Sequence, residues 1–363
     1  MLPETPITMR QLLSVIFAAL LSPAIRVLPG GVAQAAGEAG WISPLLALPI
    51  ALALCWVLFQ LLAPLPPGTG LAEACPLVLG KIGGKLALAL CLLWGLLQLS
   101  VTVRMCGQRF LITGYRNRPV IFYIIVLLTV ALWMARGKLA AFARAGEVFH
   151  AILAVTLGIV LLLAASQMEP ENLLPIWIED LPAAGTAVVP VLSLLGYAVP
   201  GAFLAGRLKR QDKNRSRAFR WTMWLCLLLS VLLLVALGCL GPDLISRVEQ
   251  PFFVMVKGIG VQGAFQRVES VVMALWVLSD LMLIGMLVLS ACAVCKVLFG
   301  LKRAQSAAVP VAAVALAGSV FLFRDAFAVE RFANEILTAG NLAFGFGFPL
   351  ILLIVGKIRG KSV

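Results

Sequence analysis

The chain has 363 residues, 62% of them hydrophobic and 12% charged. A soluble domain is usually about 45–50% apolar and about 25% charged, so this composition excludes a water-soluble fold and indicates a polytopic membrane protein. The formal net charge of +13 reads as a topology signal and an attraction to anionic lipid. No recognition motif accompanies it, which argues against nucleic acid as a partner.

Ten apolar spans follow in chain order, each near the roughly 20 residues needed to cross a hydrocarbon core. The first covers about 11–34. It follows a single basic residue, Arg10, without a small-residue cleavage site, and is expected to be retained rather than removed as a signal peptide. Its middle carries Ser22, Pro23 and Arg26. Proline removes an N–H and crowds the preceding turn, so a kink or break is expected near residues 20–23. An arginine here costs at least about 2.5–3.5 kcal/mol on insertion scales, which favours a bundle-facing Arg26 in a broken helix. The plainer alternative is a Pro-kinked helix whose Arg26 snorkels outward.

The second span, about 41–63, ends at Pro64, Pro66 and Pro67. Glu73, Pro76, Lys81 and Lys85 mark an expected interfacial helix and loop. The third span is about 86–112 and holds Gln98, Thr102 and Arg104; the fourth is about 120–135 and the fifth about 148–166. A Pro- and acid-rich loop leads to the sixth, about 185–206, and the seventh, about 221–240. After an amphipathic stretch near 251–261 come the eighth (about 270–295), ninth (about 307–323) and tenth (about 342–356). With both termini cytoplasmic, the inner loops hold most of the Lys and Arg, above all the loop Arg207–Arg220, as the positive-inside rule asks. Arg109, Arg116 and Arg118 dissent, falling outside under this topology.

The sixth span repeats the features of the first, with Pro190, Ser193, Gly196, Tyr197, Pro200 and Gly201. Interrupted segments at corresponding places in two halves point to a transporter-type binding site. Five spans is an odd number, so the halves, about 11–166 and 185–356, would be inserted upside down relative to each other. The expectation is an all-α bundle of ten transmembrane helices in two inverted five-helix repeats, the LeuT-type or amino acid–polyamine–organocation (APC) fold, with helices 1 and 6 broken.

Polar residues at membrane depth supply the remaining candidates. Asp280 is the only carboxylate deep in a span, either a buried partner for Arg26 or Arg104 or a proton or cation site. Gln98 and Thr102, four apart, share a helix face. Tyr197 sits at the expected break of the sixth helix, where it would cap a ligand or close a gate. Arg267 and Glu269 read as structural anchors at the outer end of the eighth span. Cys292 and Cys295 form a lone C-x-x-C inside a hydrophobic helix and read as small buried hydrophobes rather than a metal or redox site. With one histidine, no P-loop and no nucleophile–base constellation, neither an enzyme nor a cofactor or metal site is expected.

The loops carry a narrower resemblance. GEAGWIS (Gly37–Ser43), PGTGLAEACPLVLGKIGGK (Pro67–Lys85), ARGKLAAFARAGEVF (Ala135–Phe149), NLLP (Asn172–Pro175) and the stretch Pro251–Leu278, with Arg267, Glu269 and Trp276, together resemble the spore germination permeases, the GerAB-like B subunits of germinant receptors. The resemblance implies a protein of the spore inner membrane, working beside a larger A subunit and a lipoprotein C subunit. It would sense a small germinant, such as an amino acid, bound near the midplane between spans one, three, six and eight. The residues so implicated are Ser22, Pro23, Arg26, Gln98, Ser193, Gly196 and Tyr197. One departure stands out. Family members tend to carry glycines where the first helix unwinds, and this chain reads Ser22-Pro23-Ala24-Ile25-Arg26. Either Arg26 takes over anion recognition, its guanidinium fork matching a carboxylate, or the site is altered or defunct. A free-standing transporter of amino acids or organic ions, with Asp280 coupling to protons, and a structural subunit with a degenerate site are the alternatives.

Overall fold

A computed structural model describes residues 6–112, 118–174, 178–258 and 268–360. Among these the chain is helical throughout, apart from one isolated parallel bridge between Ile7 and Leu208. The helices are α1 (Met9–Arg26), α2 (Leu28–Ala36), α3 (Ser43–Leu62), α4 (Leu71–Ile112), α5 (Val120–Arg136) and α6 (Leu139–Ala165). They continue with α7 (Leu181–Thr186), α8 (Val188–Gly196), α9 (Pro200–Phe203), α10 (Asn214–Leu240), α11 (Pro242–Arg247), α12 (Pro251–Gly258) and α13 (Val268–Phe299). The last are α14 (Ala308–Phe321), α15 (Ala326–Phe332), α16 (Thr338–Leu342) and α17 (Phe348–Ile358), joined into one span by π-helical turns at Ala333–Leu337 and Ala343–Gly347. Among the described residues nine stretches are long and apolar enough to cross a membrane, and α5 adds a shorter apolar one.

The first span starts firmly. Thr8 and Gln11 form a reciprocal capping box, with bonds of 3.2 Å and 2.9 Å, satisfying two orphan N–H groups. Pro23 lies inside α1, and helical geometry continues past it to Arg26. The boundary falls at Val27, not at residues 20–23. Its cause is Pro29, which cannot donate to the carbonyl of Ile25. The residues around 20–23 are nonetheless perturbed from outside. The Ser279 hydroxyl accepts from Ser22 N–H at 2.8 Å and donates to the Ala18 carbonyl at 2.6 Å. A foreign hydroxyl set across one rung, next to a proline that leaves the following rung empty, is a recognised cause of helix bending.

The sixth span breaks where expected. Pro200 has no N–H to give the Gly196 carbonyl, which accepts from Val199 instead at 3.2 Å. Tyr197, Ala198, Gly201 and Ala202 make the same tight i→i−3 bonds at 2.8–3.0 Å. The result is a turn between α8 and α9 rather than an open gap.

Other boundaries moved for identifiable reasons. The expected loop before the third span is a single residue, Gly80, whose φ of 84° only glycine adopts readily. From there α4 runs unbroken to Ile112, roughly 48 Å at 1.5 Å per residue. The fifth span begins nine residues earlier than its hydropathy suggests, and the tenth far earlier, at Ala326. Arg210, from the basic loop, donates to the carbonyls of Leu62, Ala63 and Pro66 and so caps the end of α3.

At the centre α1 packs on α6 and α13, and α4 packs on α13, α5 and α14. The broken helix α8 packs on α16 and on α3. Here the backbones come close: a Cβ on Gly196 would meet the Asn341 carbonyl oxygen at 2.7 Å, and one on Gly345 would meet the Gly196 Cα at 2.7 Å. Gly196→Ala and Gly345→Ala should therefore each lower stability by about 1–3 kcal/mol. Thermal unfolding of the purified variants checks this, and an unchanged midpoint in both would show that the two helices separate freely.

Candidate functional site

The core of the site is a buried ion pair. Asp280, from the middle of α13, is 1% exposed and forms an ion pair with Arg109, its Oδ2 3.1 Å from Nη1; Arg109 is 5% exposed. Arg109 Nη2 donates to the Ser22 hydroxyl at 3.0 Å, and that hydroxyl donates to Asp280 Oδ1. Three residues from three helices thus close a ring of charge-assisted bonds, with Ser279 spliced into α1 one residue away. Trp276, one turn before Asp280, lies with its ring 5.1 Å from the Arg109 guanidinium. Phe252 and Phe253 of α12 cover it in turn, at centroid distances of 6.3 and 5.6 Å.

Arg109 replaces both expected partners of Asp280. The expected third span, about 86–112, reaches Arg109, and only the charge count sets it outside; α4 carries it as a helical residue close to its end. Gln98, Thr102, Cys106 and Arg109 are spaced four, four and three apart and form one stripe facing the bundle centre. Arg104 lies on another face of α4. It donates to the Arg324 carbonyl beyond α14, so it anchors a helix end and takes no part in an Asp280 pair.

A second polar layer joins α4, α8 and α16. Gln98 Nε2 donates to Asn341 Oδ1 at 2.8 Å. Asn341 Nδ2 donates to the Ser193 carbonyl at 3.2 Å and lies 3.4 Å from its hydroxyl. Asn341 is 1% exposed and was not legible as a site residue, because the tenth span was drawn to begin just after it. A buried amide in a helix otherwise apolar on that side is the signal that would have found it. Next to this layer is a cavity of about 50 Å³, lined in part by Gln98, Gly196, Pro200 and Asn341. It has room for a few waters, well short of the roughly 300 Å³ of a typical ligand pocket.

Between the two layers sits Arg26, 6% exposed. Its Nη1 reaches only the Cys106 sulfur, at 4.0 Å, and its Nε and Nη2 have no hydrogen-bond partner. Among the described residues no carboxylate lies within ion-pair distance of it. The Thr102 hydroxyl is also buried, and Tyr197, 4% exposed, turns its hydroxyl toward Asn341 and Thr102, near Arg26. At longer range lies Glu249, between α11 and α12. Burial raises its carboxyl above the ordinary range, Glu330 adds to that, and Arg26 pulls the other way.

The structure therefore divides the expected set. Ser22, Gln98, Ser193 and Gly196 are committed to protein contacts, and Pro23 shapes the α1 backbone. Arg26 is the member whose donors are left over, with Tyr197, Thr102 and Cys106 beside it. Arg267 and the side chain of Glu269 lie outside the described residues.

The ion pair generates a test. Removing one partner of a buried pair leaves the other uncompensated, at about 3–5 kcal/mol. Asp280→Asn and Arg109→Met should each destabilise the protein on that scale. Because the pair rather than either charge is tolerated, the double variant should be less damaged than the two single losses added. Unfolding measured through this double-mutant cycle decides it, and strict additivity would show that the two groups do not interact.

Comparison with known proteins agrees with the architecture. The spore germination protein (spore permease) family profile matches residues 6–324. No curated protein matches the chain by sequence. Among solved structures, Mhp1, a nucleobase-cation-symport-1 family transporter in a closed conformation with bromovinylhydantoin bound, superposes with a TM-score of 0.71 at 13% identity, covering 99% of this chain and 80% of Mhp1. MhsT in complex with L-phenylalanine gives a TM-score of 0.69 at 13% identity, covering 98% of this chain and 99% of MhsT. At that identity the likeness establishes the LeuT-type fold.

Proposed function

The chain belongs to the spore germination protein family, and from that premise we propose that it is the membrane-embedded B subunit of a germinant receptor, binding a small carboxylate-bearing nutrient at Arg26. The observation that carries this reading is the buried guanidinium of Arg26, which among the described residues has no carboxylate within ion-pair distance and lies beside two interrupted helices. An unpaired cation in a membrane bundle is costly, and such residues ordinarily mark a pathway or a ligand. Arginine presents a fork that takes a carboxylate in a bidentate way. Thr102 and Tyr197 offer neighbouring hydroxyls, and amino acids fit this donor set.

Mhp1 and MhsT, which share the fold, hold their hydantoin and phenylalanine as small-molecule ligands, which supports a ligand site here too. The partner subunits A and C and the spore inner membrane belong to the family reading, and inward-facing termini to the distribution of Lys and Arg. Ligand binding would shift a helix equilibrium that those partners read, and only a difference in affinity between the two states can drive such a shift.

One feature favours a second reading, a free-standing transporter of the same ligand. A cavity of about 400 Å³ opens between the N-terminal half of α1, α3, the α8–α9 break and α10, as an access path would. The Asp280–Arg109 pair weighs against Asp280 as its proton carrier, since the carboxylate is held by a cation and a hydroxyl.

The test is ligand-dependent thermal stability across amino acids, other carboxylates, sugars and nucleosides, repeated with Arg26→Ala. At about 100 times its dissociation constant a ligand should stabilise the native state by about 2.7 kcal/mol. The expected result is a shift from carboxylates that Arg26→Ala removes. A shift from neutral sugars or nucleosides alone, or one that survives in the variant, would overturn the assignment. No shift with any class would favour the degenerate structural subunit. Uptake of the stabilising ligand into proteoliposomes containing only this chain would turn the receptor reading into the transporter one.

A further inference from the structure

We propose that the groove between the N-terminal halves of α1, α6 and α10 is a binding site for an anionic phospholipid. The groove, about 1000 Å³ in volume, lies apart from the polar core and is rimmed by Arg10, Arg217 and Arg220. Its one carboxylate, Glu147, is already engaged. It sits 3.5 Å from Arg10 Nε and accepts from Gln11 Nε2 at 3.2 Å. Arg217 donates to Gln211 Oε1 at 2.9 Å, a neutral partner. Arg220 is exposed and has no acidic partner among the described residues. Two guanidinium charges are thus left over at the rim.

Below the rim the groove changes character. Its wall becomes Phe17, Ala154, Val155, Trp224 and Leu228, with Val155 64% and Trp224 69% exposed. His150 closes the inner side, its Nδ1 2.9 Å from the Ser14 hydroxyl and its ring stacked on Phe17 at 4.3 Å. The depth follows from helix length. The 27 residues of α10 span roughly 40 Å, against about 30 Å of hydrocarbon. Its first two turns, with Arg217 and Arg220, therefore stand at headgroup level. Trp221 and Trp224 follow at the interface, where amphipathic rings prefer to sit.

A cationic rim over an apolar, lipid-facing wall matches one kind of molecule, which is a phosphate headgroup on acyl chains. The phosphate must lack a compensating cation of its own, because the rim supplies the positive charge. A soluble anion would use the rim and ignore the wall. An acidic protein segment would have to enter the membrane plane to cover Val155 and Trp224.

The experiment is native mass spectrometry of the full chain from micelles holding equal phosphatidylglycerol and phosphatidylcholine. The wild type should retain phosphatidylglycerol preferentially. The variant Arg217→Gln/Arg220→Gln should lose on the order of ten-fold in that retention. The control variant Arg136→Gln/Lys138→Gln, on another basic loop, should keep it. Equal retention of the two lipids by the wild type overturns the proposal, and that result needs no variant to fold. Retention unchanged in Arg217→Gln/Arg220→Gln, or lost equally in the control, also overturns it. So does displacement of bound phosphatidylglycerol by inorganic phosphate at matched concentration, which would mark a headgroup-only site.

Discussion

Asp280 carries its charge in the middle of a helix that crosses hydrocarbon, and much of the bundle's centre is arranged around making that tolerable. An isolated carboxylate at that depth would be expelled or neutralised. Arg109 meets it from α4 at 3.1 Å, and Ser22 of α1 bridges both. The three helices that supply these groups are consequently fixed in register against one another. Ser279, adjacent to Asp280, reaches into the α1 backbone between Ala18 and Ser22. The ion pair and the perturbation of the first helix thus come from one dipeptide. Trp276, one turn earlier, covers the arginine with an aromatic face, which suits a guanidinium removed from water.

The two interrupted helices are interrupted by different chemistry. In the first, proline and an intruding hydroxyl disturb two successive rungs without unwinding the helix, and the register changes only at Val27. In the sixth, Pro200 forces Gly196 and its neighbours into tight i→i−3 turns. Neither leaves a run of free backbone N–H groups at the centre. A site that recognises an anion through backbone donors is therefore poorly provided for, while one that uses a guanidinium is provided for at Arg26. The glycine-free sequence Ser22–Arg26 and the buried arginine, which has no carboxylate within ion-pair distance among the described residues, both put a side chain where backbone donors would otherwise serve.

Hydropathy located ten spans because apolar runs of about 20 residues have few other uses, and proline placed the breaks to within a few residues. It failed where charge interrupts a helix that continues regardless. Arg109 counts against the positive-inside rule although the third span reaches it, and its spacing from Gln98, Thr102 and Cys106 puts it on their face of α4. A helical count places it on the bundle-facing stripe, which makes it a candidate for Asp280 beside Arg26 and Arg104. The tenth span was cut short by charge. Glu330, Arg331, Asn334 and Glu335 lower its hydropathy, although the helix from Ala326 carries Asn341 into the core. What no pattern reveals is which polar groups find partners. Ser22 and Gln98 looked like ligand groups and are occupied by neighbours, whereas Arg26 is not, and that depends on three-dimensional pairing.

The contrast between the two arginines bears on how such a site would work. Arg109 is neutralised within the protein, so its stabilisation does not depend on anything arriving from outside. Arg26, equally buried, meets a thiol, and the cost of its desolvation stays in the folded state. A ligand carboxylate that reached it would remove that cost, giving the bound conformation an advantage the empty one lacks, which is the differential affinity a switch requires. The small cavity beside Gln98 and Asn341 admits water but not an amino acid, so binding demands that helices part. Asp280, Arg109 and Ser22 resist separation of α1, α4 and α13. The contacts that would yield on this reading are those without ionic ties, between the end of α8 and the π-helical turn after α16, where Gly196 and Gly345 meet backbone to backbone. Opening there would expose Tyr197 and Thr102 to the ligand while the ion pair holds the rest of the core still.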